Sequence, residues 1–184
     1  MLNFTGLFSI LFLVSIVCYL VKITPEFDFG RHTVSHLGTF PKTKNSYLFT
    51  LLIYTFLRLI FFSTLFTRFL LWDNLIIVTA FIVAFGSFLA TAFITLSRHQ
   101  KVHSSVALIS AIATCILIFS LGIVLLGISF TIGVVNIILA NSMLWGSWIL
   151  ARKKGLNAYI QLFYITNVIL WDSCMALFLL GILR

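Results

Sequence analysis

The stretch that decides the fold runs from Val102 to Ala151 and reads VHSSVALISAIATCILIFSLGIVLLGISFTIGVVNIILANSMLWGSWILA, with no Asp, Glu, Lys or Arg. Its fifty residues would form about 75 Å of α-helix at 1.5 Å per residue, which is more than twice the ~30 Å hydrocarbon core of a bilayer. The stretch must therefore fold back on itself as two membrane-spanning helices. Small and polar residues near its middle predict the turn: Gly127, Ser129, Thr131 and Gly133.

The composition of the 184-residue chain is that of a membrane protein. Apolar residues make up 61% of it and charged residues 9%, whereas a soluble domain has roughly 45–50% and about 25%. This composition excludes a soluble enzyme and a disordered chain, and the three cysteines form no C-x-x-C pair. We predict one all-α domain over residues 1–184, a multi-pass bundle of six transmembrane helices near residues 3–23, 47–71, 75–96, 102–126, 130–151 and 158–183.

The distribution of basic residues predicts the orientation. Two of the twelve Lys and Arg residues, Arg68 and Arg184, flank the spans on one side, and Arg58 lies within a span. By the positive-inside rule, the more basic loops face the cytoplasm of a cell (inner) membrane and both termini lie outside. Those loops carry the other nine: Lys22, Arg31, Lys42, Lys44, Arg98, Lys101, Arg152, Lys153 and Lys154.

The basic face also predicts the partners. The net charge of +8 favours attraction to anionic lipid headgroups, for which Arg31, Arg98 and Lys101 are the candidate contacts. We expect membrane lipid and membrane-protein subunits as partners, and no nucleic acid, because no aromatic and basic surface suggests one.

The first loop, near residues 24–46, is the one long connection. Between Gly30 and Gly38 lies Arg31-His-Thr-Val-Ser-His-Leu37, about two helical turns, flanked by apolar residues suited to docking. We expect a short interfacial or re-entrant helix here, covered by protein or trapped water.

All four histidines fall into two pairs with the same spacing, His32-x-x-x-His36 and His99-x-x-x-His103. Residues four apart lie on one helical face. Ser97-Arg-His-Gln100 has the pattern of a capping box, which predicts that the fourth helix begins near Arg98. Because the two loops are separated by two spans, both pairs are expected at the same membrane face.

This arrangement leaves several interpretations open. Two to four of the histidines could bind zinc, with Asp28 as an oxygen ligand or proton acceptor and Ser35 orienting a substrate or oxyanion, and zinc-bound hydroxide would then hydrolyse a lipid. Alternatively, the histidines form hydrogen bonds to headgroups, backbone or each other. Haem is the weaker ligand hypothesis, since the first pair lies in a loop and C-x-x-C-H is absent.

Two charged residues lie deep in the predicted spans. Arg58 and Asp172 are about twelve and fourteen residues from the same membrane face, or roughly 18 and 21 Å at 1.5 Å per residue. A lone charge at that depth is costly, so we predict that the two contact each other as a clamp between helices, or line a proton or substrate pathway. In the third span, Gly86-x-x-x-Ala90 predicts close helix packing.

Short motifs carry a resemblance over most of the chain. Arg31-x-x-x-Ser35-x-Leu37-Gly38, His103-Ser-Ser-Val-Ala107 and Gly155-Leu-Asn-Ala-Tyr-Ile160 with Trp171 resemble an uncharacterised bacterial and archaeal family of small six-span membrane proteins. The resemblance implies a fold and topology and no particular reaction. His36 stands where members of that family more often have an acidic residue.

At the level of the site, Ser35, His36, His99 and His103 resemble the residues of integral-membrane zinc hydrolases such as alkaline ceramidases and the progestin and adiponectin receptors. The chain departs from those proteins in having six spans and in carrying its late histidine pair on the fourth helix. Three functions follow from the sequence. The first is a binder of lipid or another hydrophobic ligand, or an accessory subunit; the second is a zinc-dependent lipid hydrolase; the third is a small proton-coupled carrier.

Overall fold

The computed structural model describes residues 4–94, 96, 99–154 and 158–181. Within these ranges the chain is helical and contains no strand. Six helical segments are long and apolar enough to cross a membrane, which confirms the predicted all-α, multi-pass bundle. The helices are α1 (Thr5–Lys22), α2 (Lys44–Arg68), α3 (Leu75–Phe93), α4 (Gln100–Leu126), α5 (Phe130–Asn141), α6 (Ser147–Lys154) and α7 (Ala158–Leu179).

The fifth span joins two of these helices. A π-helical turn, Ser142–Gly146, connects α5 to α6 without a break, so that Phe130–Lys153 crosses as one segment. Two short 3₁₀ helices complete the structure, Val34–Gly38 in the first loop and Leu71–Asp73 between α2 and α3. Each predicted span matches a helix to within about four residues.

The turn between α4 and α5 is tighter than the sequence predicts. It comprises residues 127–129, whereas Thr131 and Gly133 lie within α5. The expected places of Thr131 and Gly133 in the turn are therefore wrong. A Cβ atom at Gly133 would lie 2.6 Å from the backbone nitrogen of Leu126, so its missing side chain serves to bring α5 against the end of α4.

Gly86 in α3 is a second correction. A Cβ atom there would meet no other atom within 4 Å. The close packing predicted from Gly86-x-x-x-Ala90 is therefore absent at this glycine. The close approach occurs instead between α4 and α5, where a Cβ atom at Gly122 would lie 3.0 Å from the carbonyl oxygen of Gly133.

The helices form successive antiparallel pairs. Helix α1 packs on α2, α3 on α4, and α4 on α5, while α7 closes the bundle against α1 and α5. The end of α1, the first loop, the end of α3 and the starts of α2, α4 and α7 lie at one end of the bundle, which we call the basic end. It carries Lys22, Arg31, Lys42, Lys44, Lys101, Arg152 and Lys153.

The first loop is docked onto the helices at this end. Val34 and Leu37 are buried in a small apolar cluster with Phe27 of the same loop, Leu20 of α1 and Ala158 of α7. Only Val34–Gly38 is helical, so the two turns expected over residues 31–37 are replaced by one 3₁₀ turn that follows an extended residue, Thr33.

Hydrogen bonds fix the same loop to its neighbours. The side-chain oxygen of Gln161 on α7 accepts a hydrogen bond from the Val34 backbone N–H at 2.6 Å. The Thr43 hydroxyl donates to the Leu37 carbonyl at 2.6 Å. The 3₁₀ helix thereby becomes a fixed wall at the basic end of the bundle.

Candidate functional site

A cavity of about 240 Å³ lies at the basic end, where the first-loop 3₁₀ helix meets the start of α2, the end of α3 and the start of α4. This volume is slightly below the roughly 300–1,000 Å³ of pockets that enclose a drug-sized ligand. It suits a polar group of several atoms better than an entire lipid. The lining mixes polar and apolar residues: Ser35, Gly38, Lys44, Tyr47, Leu48, Thr91, Ala92, Phe93, Leu96 and His103.

His103 is the most distinctive residue of this lining. Its side chain is buried, with 6% relative exposure, and its Nδ1 lies 2.6 Å from the carbonyl oxygen of Ile94. A carbonyl oxygen only accepts hydrogen bonds, so Nδ1 carries the proton and donates. Nε2 is buried and has no hydrogen-bond partner among the residues that the structure describes.

The tautomer of His103 follows from these contacts. In the neutral ring, Nε2 carries a lone pair on the side away from the Ile94 hydrogen bond. A histidine whose Nδ1–H is held by a backbone carbonyl, with Nε2 left available, is the form that binds ligands or accepts protons.

His32 and His36 have the opposite arrangement. Nδ1 of His32 accepts a hydrogen bond from the Asp28 backbone N–H at 3.0 Å, and Nδ1 of His36 accepts one from the Thr33 backbone N–H at 2.9 Å. In their neutral forms both rings therefore carry the proton on Nε2. Their ring centroids lie 5.0 Å apart, so this pair is close together but has no free lone pair on either ring.

His36 is held in its neutral form by its surroundings. Burial lowers the pKa of His36 below its ordinary value of 6.5, and the nearby rings of His32 and His103 lower it further, although the backbone of Thr33 offsets part of this. The influence of His103 on His36 also shows that the first loop and the start of α4 lie close together, at the same end of the bundle.

His99 is separate from the other histidines. It is exposed and forms the N-cap of α4, whose first helical residue is Gln100. This start lies two residues after Arg98, near which the helix was expected to begin, and Ser97 and Arg98 of the predicted capping box lie outside the described residues. No three His, Cys, Asp or Glu side chains in the described parts of the chain lie close enough to hold a metal ion.

The residues considered for a zinc site from the histidine spacing lie in different local settings. Asp28 faces the solvent side of the loop, where its carboxylate accepts a hydrogen bond from the Gly30 N–H at 2.7 Å and pairs with Arg31 at 3.6 Å. In their neutral forms His32 and His36 have their Nδ1 lone pairs occupied, and His103 supplies one lone pair, on Nε2. Structural zinc sites use four ligands and catalytic sites three.

Ser35 does share a site with His103, as the sequence led us to expect. Both line the cavity, together with Tyr47. Tyr47 and Lys44, on the first turns of α2, were not singled out from the sequence. Their only sequence signal is their position just after the first loop, at the end of a predicted span.

Of the expected headgroup contacts, the two that the structure describes, Arg31 and Lys101, are not among the residues that line this cavity. Arg31 is exposed and paired with Asp28, and Lys101 is exposed on the first turn of α4. A lipid contact for Arg31, Lys101 and Arg98 stays a prediction.

The second candidate site lies in the middle of the bundle. Nη1 of Arg58 on α2 donates to Oδ1 of Asp172 on α7, and both side chains are buried, at 4% and 0% relative exposure. The predicted contact between these residues is confirmed. The other carboxylate oxygen, Oδ2 of Asp172, has no hydrogen-bond partner among the described residues.

Aromatic rings enclose the ion pair. The guanidinium carbon of Arg58 lies 5.0–5.8 Å from the ring centroids of Tyr54, Phe61, Phe62 and Trp171. The Trp171 ring N–H donates to the Asn136 side-chain oxygen at 2.5 Å, which links α7 to α5. This enclosure is the environment of a structural clamp between helices.

The comparisons with known proteins add no assignment to either site. No protein-family model, no curated protein and no solved structure matches this chain.

Proposed function

We propose that this chain is an integral membrane protein that binds a membrane lipid by its headgroup, in the cavity at the basic end. The observation that carries the proposal is the buried, unpartnered Nε2 of His103. An unsatisfied buried polar atom in a native fold calls for an explanation, and a ligand that donates a hydrogen bond to Nε2 supplies one.

The lining of the cavity supports a ligand that is partly polar and partly apolar. Lys44, Ser35 and Tyr47 offer hydrogen-bond donors, and Lys44 adds a positive charge. Leu48, Ala92, Phe93 and Leu96 form the apolar part of the same wall. A lipid at the edge of a bilayer has this division between a polar headgroup and apolar chains, and the cavity volume fits the headgroup.

The resemblance to small six-span membrane proteins is consistent with this proposal. Of the residues in Arg31-x-x-x-Ser35-x-Leu37-Gly38, Ser35 and Gly38 line the cavity and Leu37 anchors the loop in its apolar cluster. We propose that this motif builds the loop wall of a headgroup site. By the positive-inside rule, we further propose that the cavity faces the cytoplasmic leaflet and that both termini lie outside.

The other two functions have less support. A zinc hydrolase lacks a ligand set among the described residues, and a carrier would need a path to Arg58 and Asp172, which are enclosed by aromatic rings. A haem bound between His32 and His36 would need their rings apart on either side of the macrocycle, and they lie 5.0 Å from each other.

Photo-crosslinking of the purified full chain in detergent micelles tests the proposal. The probes are phosphatidylglycerol and phosphatidylcholine, each with a diazirine in the acyl chain close to the ester. We expect labelled peptides to map to the cavity lining around Leu48 and Phe93 for at least one probe, and His103→Ala to reduce this labelling severalfold. His99→Ala is the matched control, since it removes an exposed histidine of the same helix start.

Labelling spread evenly over lipid-facing positions such as Leu108 and Ile116, and unchanged in His103→Ala, would reject the headgroup site. The same peptide digestion detects labelling in the cavity lining and labelling at lipid-facing positions, so it distinguishes the two results.

A further inference from the structure

The polar groups of the cavity differ in kind and in depth. Lys44 is an exposed residue of the cavity lining, whereas His103 is a buried one. The Thr91 hydroxyl already donates to the Phe88 carbonyl at 2.6 Å. A ligand therefore meets an exposed cation and a buried, neutral nitrogen acceptor.

Lys44 and His103 favour two different features in one ligand. The ammonium group favours a negative charge, because opposite charges attract most strongly where water is partly excluded. The Nε2 lone pair needs a donor, because burying it against a group that cannot donate leaves it unsatisfied. The described lining contains no carboxylate to attract a second cation.

Common phospholipid headgroups differ in these features. Choline carries no N–H or O–H donor. Ethanolamine has donors, but these belong to an ammonium group that Lys44 would repel. A glycerol headgroup joins an anionic phosphodiester to neutral hydroxyl donors, which is the combination that the cavity presents.

Resting on the proposed function, we infer that the cavity selects an anionic phospholipid whose headgroup carries free hydroxyl groups. The phosphodiester lies near Lys44, and a headgroup hydroxyl donates to Nε2 of His103. Ser35 and Tyr47 lie on the same lining as further polar partners.

Equilibrium binding to the purified full chain in detergent micelles tests this inference. The ligands have identical acyl chains and three headgroups: phosphatidylglycerol, phosphatidylcholine, and phosphatidylglycerol with both headgroup hydroxyls converted to methyl ethers. We expect phosphatidylglycerol to bind about tenfold more tightly than either of the others, which corresponds to about 1.4 kcal/mol. The methyl ether keeps the charge and removes the donors, so it isolates the hydroxyl contribution.

Variants assign the selectivity to His103. His103→Phe should bring the affinity for phosphatidylglycerol down to that of its methyl ether. His99→Ala should keep the wild-type ratio of these two affinities. His103→Gln retains an acceptor oxygen and should keep part of the ratio. If His103→Phe does not fold, the ratio of the affinities for phosphatidylglycerol and its methyl ether on the wild-type chain still tests the inference.

The possible outcomes separate the two proposals. Equal affinity for phosphatidylglycerol and its methyl ether, together with cavity labelling by the crosslinking probes, would overturn the inference and leave the headgroup site standing. Tight binding of the methyl ether but not of phosphatidylcholine would also overturn it, because charge alone would then select the ligand. Absence of cavity labelling with every probe would overturn both.

Discussion

Arg58 on α2 and Asp172 on α7 form an ion pair inside the bundle although 114 residues separate them in the sequence. Both side chains are buried, and aromatic rings cover the guanidinium. The intact pair contributes little to the free energy of unfolding, but loss of one partner is strongly destabilising. The remaining charge would be buried without compensation, which costs far more than the intact pair contributes.

Removing one partner should therefore destabilise the protein strongly. We expect Asp172→Leu or Arg58→Met alone to lower the free energy of unfolding by about 3–5 kcal/mol. The double variant Arg58→Met with Asp172→Leu should recover most of this loss, because two apolar side chains fill the space without a charge. Thermal unfolding in detergent micelles measures all three.

Arg152→Met is the control for this series, since Arg152 is exposed at the basic end and contacts Trp148. It should unfold close to the wild-type temperature. A double variant as unstable as the single variants would show that the pair does more than balance its own charges.

The two glycines at Gly133 and Gly86 should respond in opposite ways to alanine. The Cβ atom of Gly133→Ala would lie 2.6–2.7 Å from the backbone of Leu126, so α4 and α5 must move apart, at a cost of about 1–3 kcal/mol. Gly86→Ala meets nothing within 4 Å and should stabilise α3 by roughly 0.5–1 kcal/mol. Thermal unfolding of both variants in one detergent compares them directly.

Equal effects of the two substitutions would contradict the close α4–α5 approach. Helix propensity alone favours alanine at both positions, so only the contact with Leu126 gives the two changes opposite signs.

The sequence predicts the fold well because bilayer thickness is a strong constraint. The apolar run Val102–Ala151 had to fold back, and Arg58 and Asp172 had to find partners at depth. These arguments depend on length and charge alone. They needed no knowledge of how side chains pack, and the structure agrees with them.

The site is less predictable, because identical spacing hides different local structure. His32-x-x-x-His36 and His99-x-x-x-His103 look equivalent in the sequence. In the fold, His32 precedes a 3₁₀ turn and His99 is a helix cap, so neither pair lies on one face of an α-helix. What distinguishes His103 is a hydrogen bond to the carbonyl of Ile94 at the end of another helix, for which the sequence carries no signal.

The lowered pKa of His36 should make the stability of the protein depend on pH. The unfolded chain titrates this residue near 6.5, and burial and His32 hold the pKa lower in the folded state. Below about pH 6.5 the unfolded chain therefore binds more protons than the folded chain, and stability falls as the pH falls through that range. Above about pH 6.5 this contribution to stability is fully present.

We expect His36 to contribute no change in the unfolding temperature of the wild-type chain between about pH 7 and 8. Below about pH 6.5 the unfolding temperature should decrease. His36→Gln should make that decrease shallower, because the residue no longer takes up a proton. His99→Gln, at an exposed histidine, should leave the wild-type slope unchanged. The same acid slope in His36→Gln and the wild type would assign the pH dependence to other groups.

The hydrogen bond from Val34 to Gln161 tests whether the first loop is a fixed wall of the cavity. Gln161→Leu removes the acceptor and leaves the buried Val34 N–H unpaired, at a cost of about 1–3 kcal/mol. Because the bond joins the 3₁₀ helix to α7, this cost should appear as faster hydrogen exchange at Val34–Gly38, measured by mass spectrometry. Asn141→Leu is the matched control, since its amide bonds within its own helix, to the Ile137 carbonyl. Unchanged exchange in Gln161→Leu would mean that the apolar cluster around Leu37 alone holds the loop in place.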